Sequence, residues 1–300
     1  MQRSSCLQKD DLMSAQIAEF AECTPRALTQ AGFLRMAQFI TVELGIKMPE
    51  SKASMIESRL MRRVRELGMT SVDEYGDYLF AKEHTDELEY FINAITTNKT
   101  DFYRESDHFR LLTERVVPDL LKRSRYASQT LKIWSAACSS GEEPYTIAMA
   151  LDEYGRRTGG LNYAILATDI STKVLSMARQ AIYSSDQAEA VPVAIRRRCF
   201  MQSRDAGKSR LRIVPELRAR VSFFRLNLMD EDYCVKDRFD VIFLRNVLIY
   251  FSREVQERVV CRLCEYLNPG GYFFVGHAET LTELQVPLRR IHNSVYQSLG

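Results

Sequence analysis

The sequence predicts an α/β protein: a doubly wound sheet, preceded by an all-helical domain and interrupted by a small antiparallel insertion. Three observations carry that expectation. Leu131 to Ala150 reads as a buried strand, a small-residue turn and a helix. Further apolar runs at 163–170, 221–228, 240–246 and 272–276 alternate with helical patterns, and several end in polar residues: Asp169, Asn227, Asn246, His277. Phe33 to Ile95, by contrast, has helical periodicity and no strand pattern.

In the opening unit, Ser139, Ser140 and Gly141 make the turn, and Glu142, Glu143 and Pro144 sit where a first helical turn favours acid and proline. Such turns lie at the carboxyl end of a strand, where doubly wound sheets bind ligands. With one glycine, this turn matches neither a dinucleotide fingerprint nor a Walker loop. An adenosine ligand without pyrophosphate, such as S-adenosylmethionine, suits it better. On this stretch alone, that reading and a turn with no cofactor stand even.

Composition narrows the class. Three hundred residues suggest two domains, or one large one. A net charge of +2 makes no global demand for nucleic acid. No run is long and apolar enough to span a membrane, and Met1 to Leu12 lacks the apolar core of a signal peptide. Seven scattered cysteines imply reduced thiols and a cytoplasmic setting. Cys261 and Cys264 form a CxxC within a helical pattern, which favours buried thiols over zinc; no metal is expected.

The expected boundaries are an extension over 1–27, partly disordered; a helical domain over 28–95; and the α/β domain over 96–300, with an insertion at about 184–220. The helix from about Lys52 to Leu67 carries Lys52, Arg59, Arg62, Arg63 and Arg65 beside an apolar stripe. A solvated basic face is the plainer reading, and docking of an acidic partner the functional one. Thr96 to Glu105 is polar and turn-rich, yet Phe102 and Tyr103 mark it as packed rather than a free linker. Phe109 to Arg123 reads as a helix bent or broken at Pro118. Asp169 ends the second strand, placed for ribose hydroxyls; the alternative is a helix cap, a task for which Ser171 is available. The insertion is basic, with Arg196, Arg197, Arg198, Arg204, Lys208, Arg210 and Arg212, but lacks the interleaved aromatics of a nucleic-acid surface. Val295 to Leu299 reads as a closing edge strand.

Five motifs in order, Thr96-Thr-Asn-Lys-Thr-Asp-Phe-Tyr-Arg-Glu105, Trp134-Ser-Ala-Ala-Cys-Ser-Ser-Gly-Glu-Glu-Pro-Tyr145, Ala167-Thr-Asp-Ile170, Phe243-Leu-Arg-Asn-Val-Leu-Ile-Tyr-Phe251 and Gly276-His-Ala-Glu279, resemble the chemotaxis receptor methyltransferases, the CheR family. The resemblance runs from about Phe33 to the end. It implies a class I S-adenosylmethionine-dependent methyltransferase domain (Rossmann-like), a helical N-terminal domain and an inserted β-subdomain. It also implies methyl transfer to glutamates of methyl-accepting chemotaxis receptors, giving γ-methyl esters and S-adenosylhomocysteine. On the matching positions it puts Asn98, Thr100 and Arg104 over the cofactor, with Glu143 and Asp169 at its methionine and ribose ends. Asn227, Leu228, Arg245 and Asn246 complete the pocket. Arg104 and Tyr250 stand beside the transferred methyl. Lys52, Arg59, Arg62 and Arg63 become the expected receptor-docking residues. The protein is expected to be a monomer, with no nucleic-acid partner and no membrane insertion. Some members tether a receptor peptide through a glycine-rich loop of the insertion. Gln202 to Arg212 has only Gly207 here, a departure from that pattern which leaves peptide tethering an open question at this point. The rival classes are an RNA or small-molecule methyltransferase and a non-catalytic docking module.

Overall fold

A computed structural model describes residues 26–81, 84–123, 130–203 and 209–300. The expectations for 1–25, and for Arg204, Gly207 and Lys208, fall outside these residues. The chain divides into two compact units, one of residues up to Thr41 plus Met48–Ile95, the other of Val42–Lys47 plus Thr96–Gly300.

The first unit is helical: α1 (Gln30–Leu44, whose last turn groups with the second unit), α2 (Ala53–Glu66), α3 (Val72–Leu79) and α4 (Thr85–Ile95). The stripes seen in the sequence form its core, with Met36, Ile40, Ile56, Leu60, Val64, Tyr75 and Phe91 fully buried. Ser71 caps α3, its hydroxyl accepting from Glu74 N at 3.0 Å.

The second unit opens with α5 (Asp107–Leu111), a π-turn (Leu112–Val116) and α6 (Val117–Leu121). The break expected at Pro118 takes that form: Pro118 sits in the first turn of α6, where its missing N–H is harmless. Next come β1 (Leu131–Ala136), α7 (Glu142–Thr158), β2 (Tyr163–Asp169), α8 (Thr172–Gln180), β3 (Ile182–Ser184), α9 (Val193–Cys199), β4 (Phe200–Gln202), β5 (Arg210–Ile213), α10 (Pro215–Arg218), β6 (Val221–Arg225), β7 (Phe239–Leu244), α11 (Arg253–Glu265), β8 (Leu267–Val275), β9 (Leu288–His292) and β10 (Val295–Ser298).

The main sheet runs β6-β2-β1-β7-β8-β10-β9, and β3-β5-β4 form the antiparallel insertion. The first five strands are parallel, and β10 is antiparallel to both neighbours. One expectation is corrected here: β10 lies inside the sheet, and the edge is β9, an exposed Leu-Arg-Arg-Ile-His strand. Side chains alternate between the two faces. Ile133, Phe243 and Phe274 pack on one side with α5, α7 and α8. Trp134, Ile242, Leu244 and Phe273 pack on the other, with Val259, Val260 and Leu263 of α11. Both faces are thus covered, which is why the parallel strands read as continuous apolar runs. Strand order reverses between β1 and β7, so a crevice is expected outside their carboxyl ends.

Candidate active site

The turn after β1 puts Gly141 at φ 96°, a left-handed conformation that glycine adopts without strain. A Cβ there would lie 2.9 Å from Tyr183 Oη and 3.0 Å from Ala178 Cβ, so the turn packs tightly on α8 and β3. Ser139 gathers three site elements. Its N–H donates to Asp169 Oδ2 at 2.8 Å, and its hydroxyl donates to the Asn98 carbonyl at 2.8 Å. Linker, turn and second strand therefore meet at one residue.

Asp169 is buried, and Ser171 N donates to its Oδ1 at 2.9 Å. Ser171 itself caps α8, accepting from Val174 N, so Asp169 is not the cap. The carboxylate takes backbone N–H groups from Ser139, Ile170 and Ser171 and keeps acceptor capacity for a ribose hydroxyl. Burial raises its pKa, against the pull of those backbone hydrogen bonds. The neighbouring strand end is close by, since Leu226 N donates to the Asp169 carbonyl at 3.0 Å. Leu228 is buried there, and Asn227 donates to the Glu43 carbonyl at 2.7 Å.

At the switch point between β1 and β7 stands Arg245, its side chain 2% exposed. It donates to Glu143 Oε2 at 3.1 Å, to Glu105 Oε2 at 2.9 Å and to the Arg104 carbonyl at 2.5 Å. Ser135 supplies Glu143 with a further hydrogen bond at 2.7 Å. Burial raises the Glu143 pKa, opposed by Arg245. Asn246, at φ 60°, donates from its side chain to Glu105 Oε1 at 3.1 Å. Its own N–H donates to Glu279 Oε2 at 2.9 Å. Burial would raise the Glu105 pKa, but the hydrogen bonds from Asn246 and Arg245 outweigh it and hold the value at about 2.

Arg104 and Tyr250 are both half-buried. The Arg104 guanidinium donates to the Lys99 carbonyl of its own linker at 3.0 Å, and the Tyr250 carbonyl accepts from Lys47 N at 2.8 Å. No hydrogen bond joins the two side chains among the described residues. Thr100 is half-buried in the same linker.

The basic face of α2 is narrower than its spacing suggested, because two of its arginines bind inside the helical unit. Arg59 donates to the carbonyls of Ala94 and Ile95 at the end of α4. Arg63 grips Glu87 through two hydrogen bonds, of 2.9 and 2.7 Å, and lies over the Tyr90 ring. Arg62 and Arg65 remain exposed, Arg62 pairing with Glu66 on its own helix. Lys52 is half-buried just ahead of α2.

Spacing missed Glu105, Glu279 and His108: Glu105 and Glu279 meet strand-end residues far away in the chain, and His108 stands against Glu105. The available hint was charge in short turn-like stretches next to strand ends. Glu105, His108 and His277 offer ligand atoms within 4.8 Å of one another. The Arg245 guanidinium already supplies the cation against Glu105 there, and a second positive charge would be repelled.

A doubly wound sheet, a one-glycine turn and a buried carboxylate at the second strand define a class I S-adenosylmethionine-dependent methyltransferase domain. The residues present suit that cofactor, given the acceptor capacity left on Asp169 and the polar strand ends around it. Residues 98–296 match the family described as CheR methyltransferase, SAM binding domain, and residues 31–96 its all-alpha domain. The chain is 38% identical to chemotaxis protein methyltransferase 2 of Pseudomonas aeruginosa, over 89% of this chain and 93% of that one. It is likewise 38% identical to the chemotaxis protein methyltransferase of Escherichia coli, over 86% and 87%. That of Borreliella burgdorferi is 36% identical, over 85% and 89%. The chain belongs to the CheR methyltransferase family.

Proposed function

We propose that the protein transfers a methyl group to glutamate side chains of methyl-accepting chemotaxis receptors, forming γ-methyl esters. Family membership supports methyl transfer in chemotaxis. Support for the choice of acceptor comes from the linker clamp, the Glu105–Arg245–Glu143 network that adjoins the half-buried Arg104: the Ser294–His108 pair behind it is buried, at 2% and 1% exposed, and out of a substrate's reach. A glutamate acceptor is ionised near neutral pH, with an ordinary pKa of about 4.3, so it needs no base. When bound, S-adenosylmethionine supplies an activated methyl on a sulfonium whose sulfur keeps the bonding electrons as the ester C–O bond forms.

The chain's own residues then have binding and positioning tasks. Asp169 takes the ribose hydroxyls, Glu143 the methionine end, and Asn98, Thr100, Asn227, Leu228, Arg245 and Asn246 the walls of the pocket. Arg104 receives the acceptor carboxylate through a charge-assisted contact, and Tyr250 orients it. In-line positioning of this kind can lower a barrier by roughly 7–11 kcal/mol. Arg62, Arg65 and Lys52 offer positive charge to the glutamate-rich receptor helix. An RNA acceptor is less favoured: Arg196 donates to the Ala188 carbonyl, Arg198 pairs with Glu153, and Arg212 donates to the Gln180 carbonyl, so part of the basic insertion is spent internally.

The test is transfer of labelled methyl to cytoplasmic receptor fragments, with RNA as control. Label should appear on receptor, be released as methanol by mild alkali, and vanish at each site where glutamate is replaced by glutamine. Alkali-stable label, or undiminished labelling of the glutamine variants, would overturn the carboxylate reading.

A further inference from the structure

We propose that Glu105 is a positioning residue for methyl transfer: its carboxylate locks the linker turn that aims Arg104. The inference rests on the reading of Arg104 as the group that receives the acceptor.

Tyr103 and Glu105 have φ of 55° and 54°, left-handed values that side-chain-bearing residues keep only where the surroundings impose them. Arg104 lies between them. The backbone and the residues on either side of it are fastened. Phe102 meets the rings of Tyr183 and Phe200 edge-on, at 4.8 and 5.6 Å. Tyr103 N donates to Thr146 Oγ1 at 3.2 Å, and the Arg104 carbonyl is held by Arg245. Glu105 ends the turn by accepting from three donors on two strand ends: Arg245, Asn246 and, at 3.2 Å, the backbone N–H of His277. The buried His108 stands behind it, with Nδ1 3.5 Å from Glu105 Oε2, too far for a good hydrogen bond. The Glu105 carboxylate thus joins the left-handed turn of the linker to the left-handed Asn246 after β7. The Arg104 guanidinium spends one N–H on the Lys99 carbonyl of its own linker and keeps its other donors for a substrate.

The side-chain length and charge both matter here. A glutamine would turn an NH2 group toward the donors Arg245 or Asn246. An aspartate is one methylene short of spanning them.

The experiment compares the full chain with Glu105→Gln, Arg104→Ala and the double variant. It measures turnover on receptor fragments at saturating cofactor, and S-adenosylhomocysteine affinity by calorimetry. Glu105→Gln should slow turnover by about 10- to 100-fold, the scale of a misplacement of about 1 Å, with affinity within about threefold of the parent. The double variant should be no slower than Arg104→Ala, because Glu105 acts through that side chain. If Glu105→Gln turns over normally while Arg104→Ala is slow, or if the two losses multiply, the positioning role is overturned and the reading of Arg104 stands. A normal Arg104→Ala removes that reading and this inference with it. Equal losses of turnover and affinity in Glu105→Gln would mark Glu105 as a general support and overturn the proposal. Should Glu105→Gln not fold, Glu105→Asp reads the same quantities with the charge retained.

Discussion

Replacing Arg245 by methionine keeps most of the side-chain volume and removes the cation that Glu105 and Glu143 share. Nearly all the loss should therefore be electrostatic. Breaking a buried pair by removing one partner is destabilising by about 3–5 kcal/mol. A second route to the magnitude starts from Glu105, whose pKa falls from an ordinary 4.5 to about 2 in the folded protein. That depression corresponds to roughly 3 kcal/mol at neutral pH, a ceiling on the share held by Arg245, because the Asn246 and His277 hydrogen bonds also lower the value. Because the folded value lies below the unfolded one, this stability is fully present above about pH 4.5 and fades as the pH falls toward 2; by pH 3.5 roughly 2 kcal/mol of it remains. The gap between the parent and Arg245→Met should narrow accordingly. The chain has a single tryptophan, Trp134, buried among Tyr233, Phe239 and Tyr266 in the second unit. Its fluorescence in urea titrations at pH 7 and pH 3.5 reports the unfolding of the unit in question. A loss below about 1 kcal/mol at pH 7, the scale of an exposed ion pair, would refute the reasoning. So would a gap of unchanged size at pH 3.5.

Asp169→Ala should weaken S-adenosylhomocysteine binding by roughly 1.5–3 kcal/mol, the range for hydrogen bonds to a charged group; unchanged calorimetric affinity would leave Asp169 as backbone support alone. Glu142 is buried with its pKa raised to about 6, chiefly by burial, so its charge opposes folding above that pH and not below about 4.5. Glu142→Gln should stabilise the second unit by about 2 kcal/mol at pH 8, with no gain at pH 4, as read by the same fluorescence. Arg62→Glu combined with Arg65→Glu should lower receptor methylation at low salt and leave cofactor affinity intact; normal methylation would make this face a solvated surface. Arg63→Glu would face Glu87, itself 5% exposed, and should unfold the helical unit, seen as lost helical circular dichroism at lower urea.

Asp169, Asn227 and Asn246 were legible as strand-end candidates because a buried parallel strand is a long apolar run, and polar residues at its carboxyl end mark the ligand side of the sheet. Asn98, Thr100 and Arg104 were not, since a polar linker has no period; only the family resemblance singled them out. The clamp was hidden for a different reason. Arg245 and Glu105 lie 140 positions apart, and nothing in either neighbourhood says that the two will meet. The same limit applies to α2. Helical spacing put Arg59 and Arg63 on one face, but whether a face meets solvent depends on α4, whose Glu87 and terminal carbonyls came to it. Strand β9 was missed because an exposed edge of Leu-Arg-Arg-Ile-His needs no buried alternation, and its basic residues guard that edge against further pairing.

Phe102 also limits how this protein could be recombined with its relatives. The insertion resembles a detachable cassette, entering after α8 and leaving before β6. Yet its Tyr183 and Phe200 form the socket for the linker aromatic, and the Tyr183 hydroxyl donates to the Ser140 carbonyl in the turn after β1. A chimera that imports a foreign insertion alone would leave Phe102 against mismatched walls and loosen both turns at once. Grafts should move Phe102, Tyr183 and Phe200 as a set, leaving that socket intact.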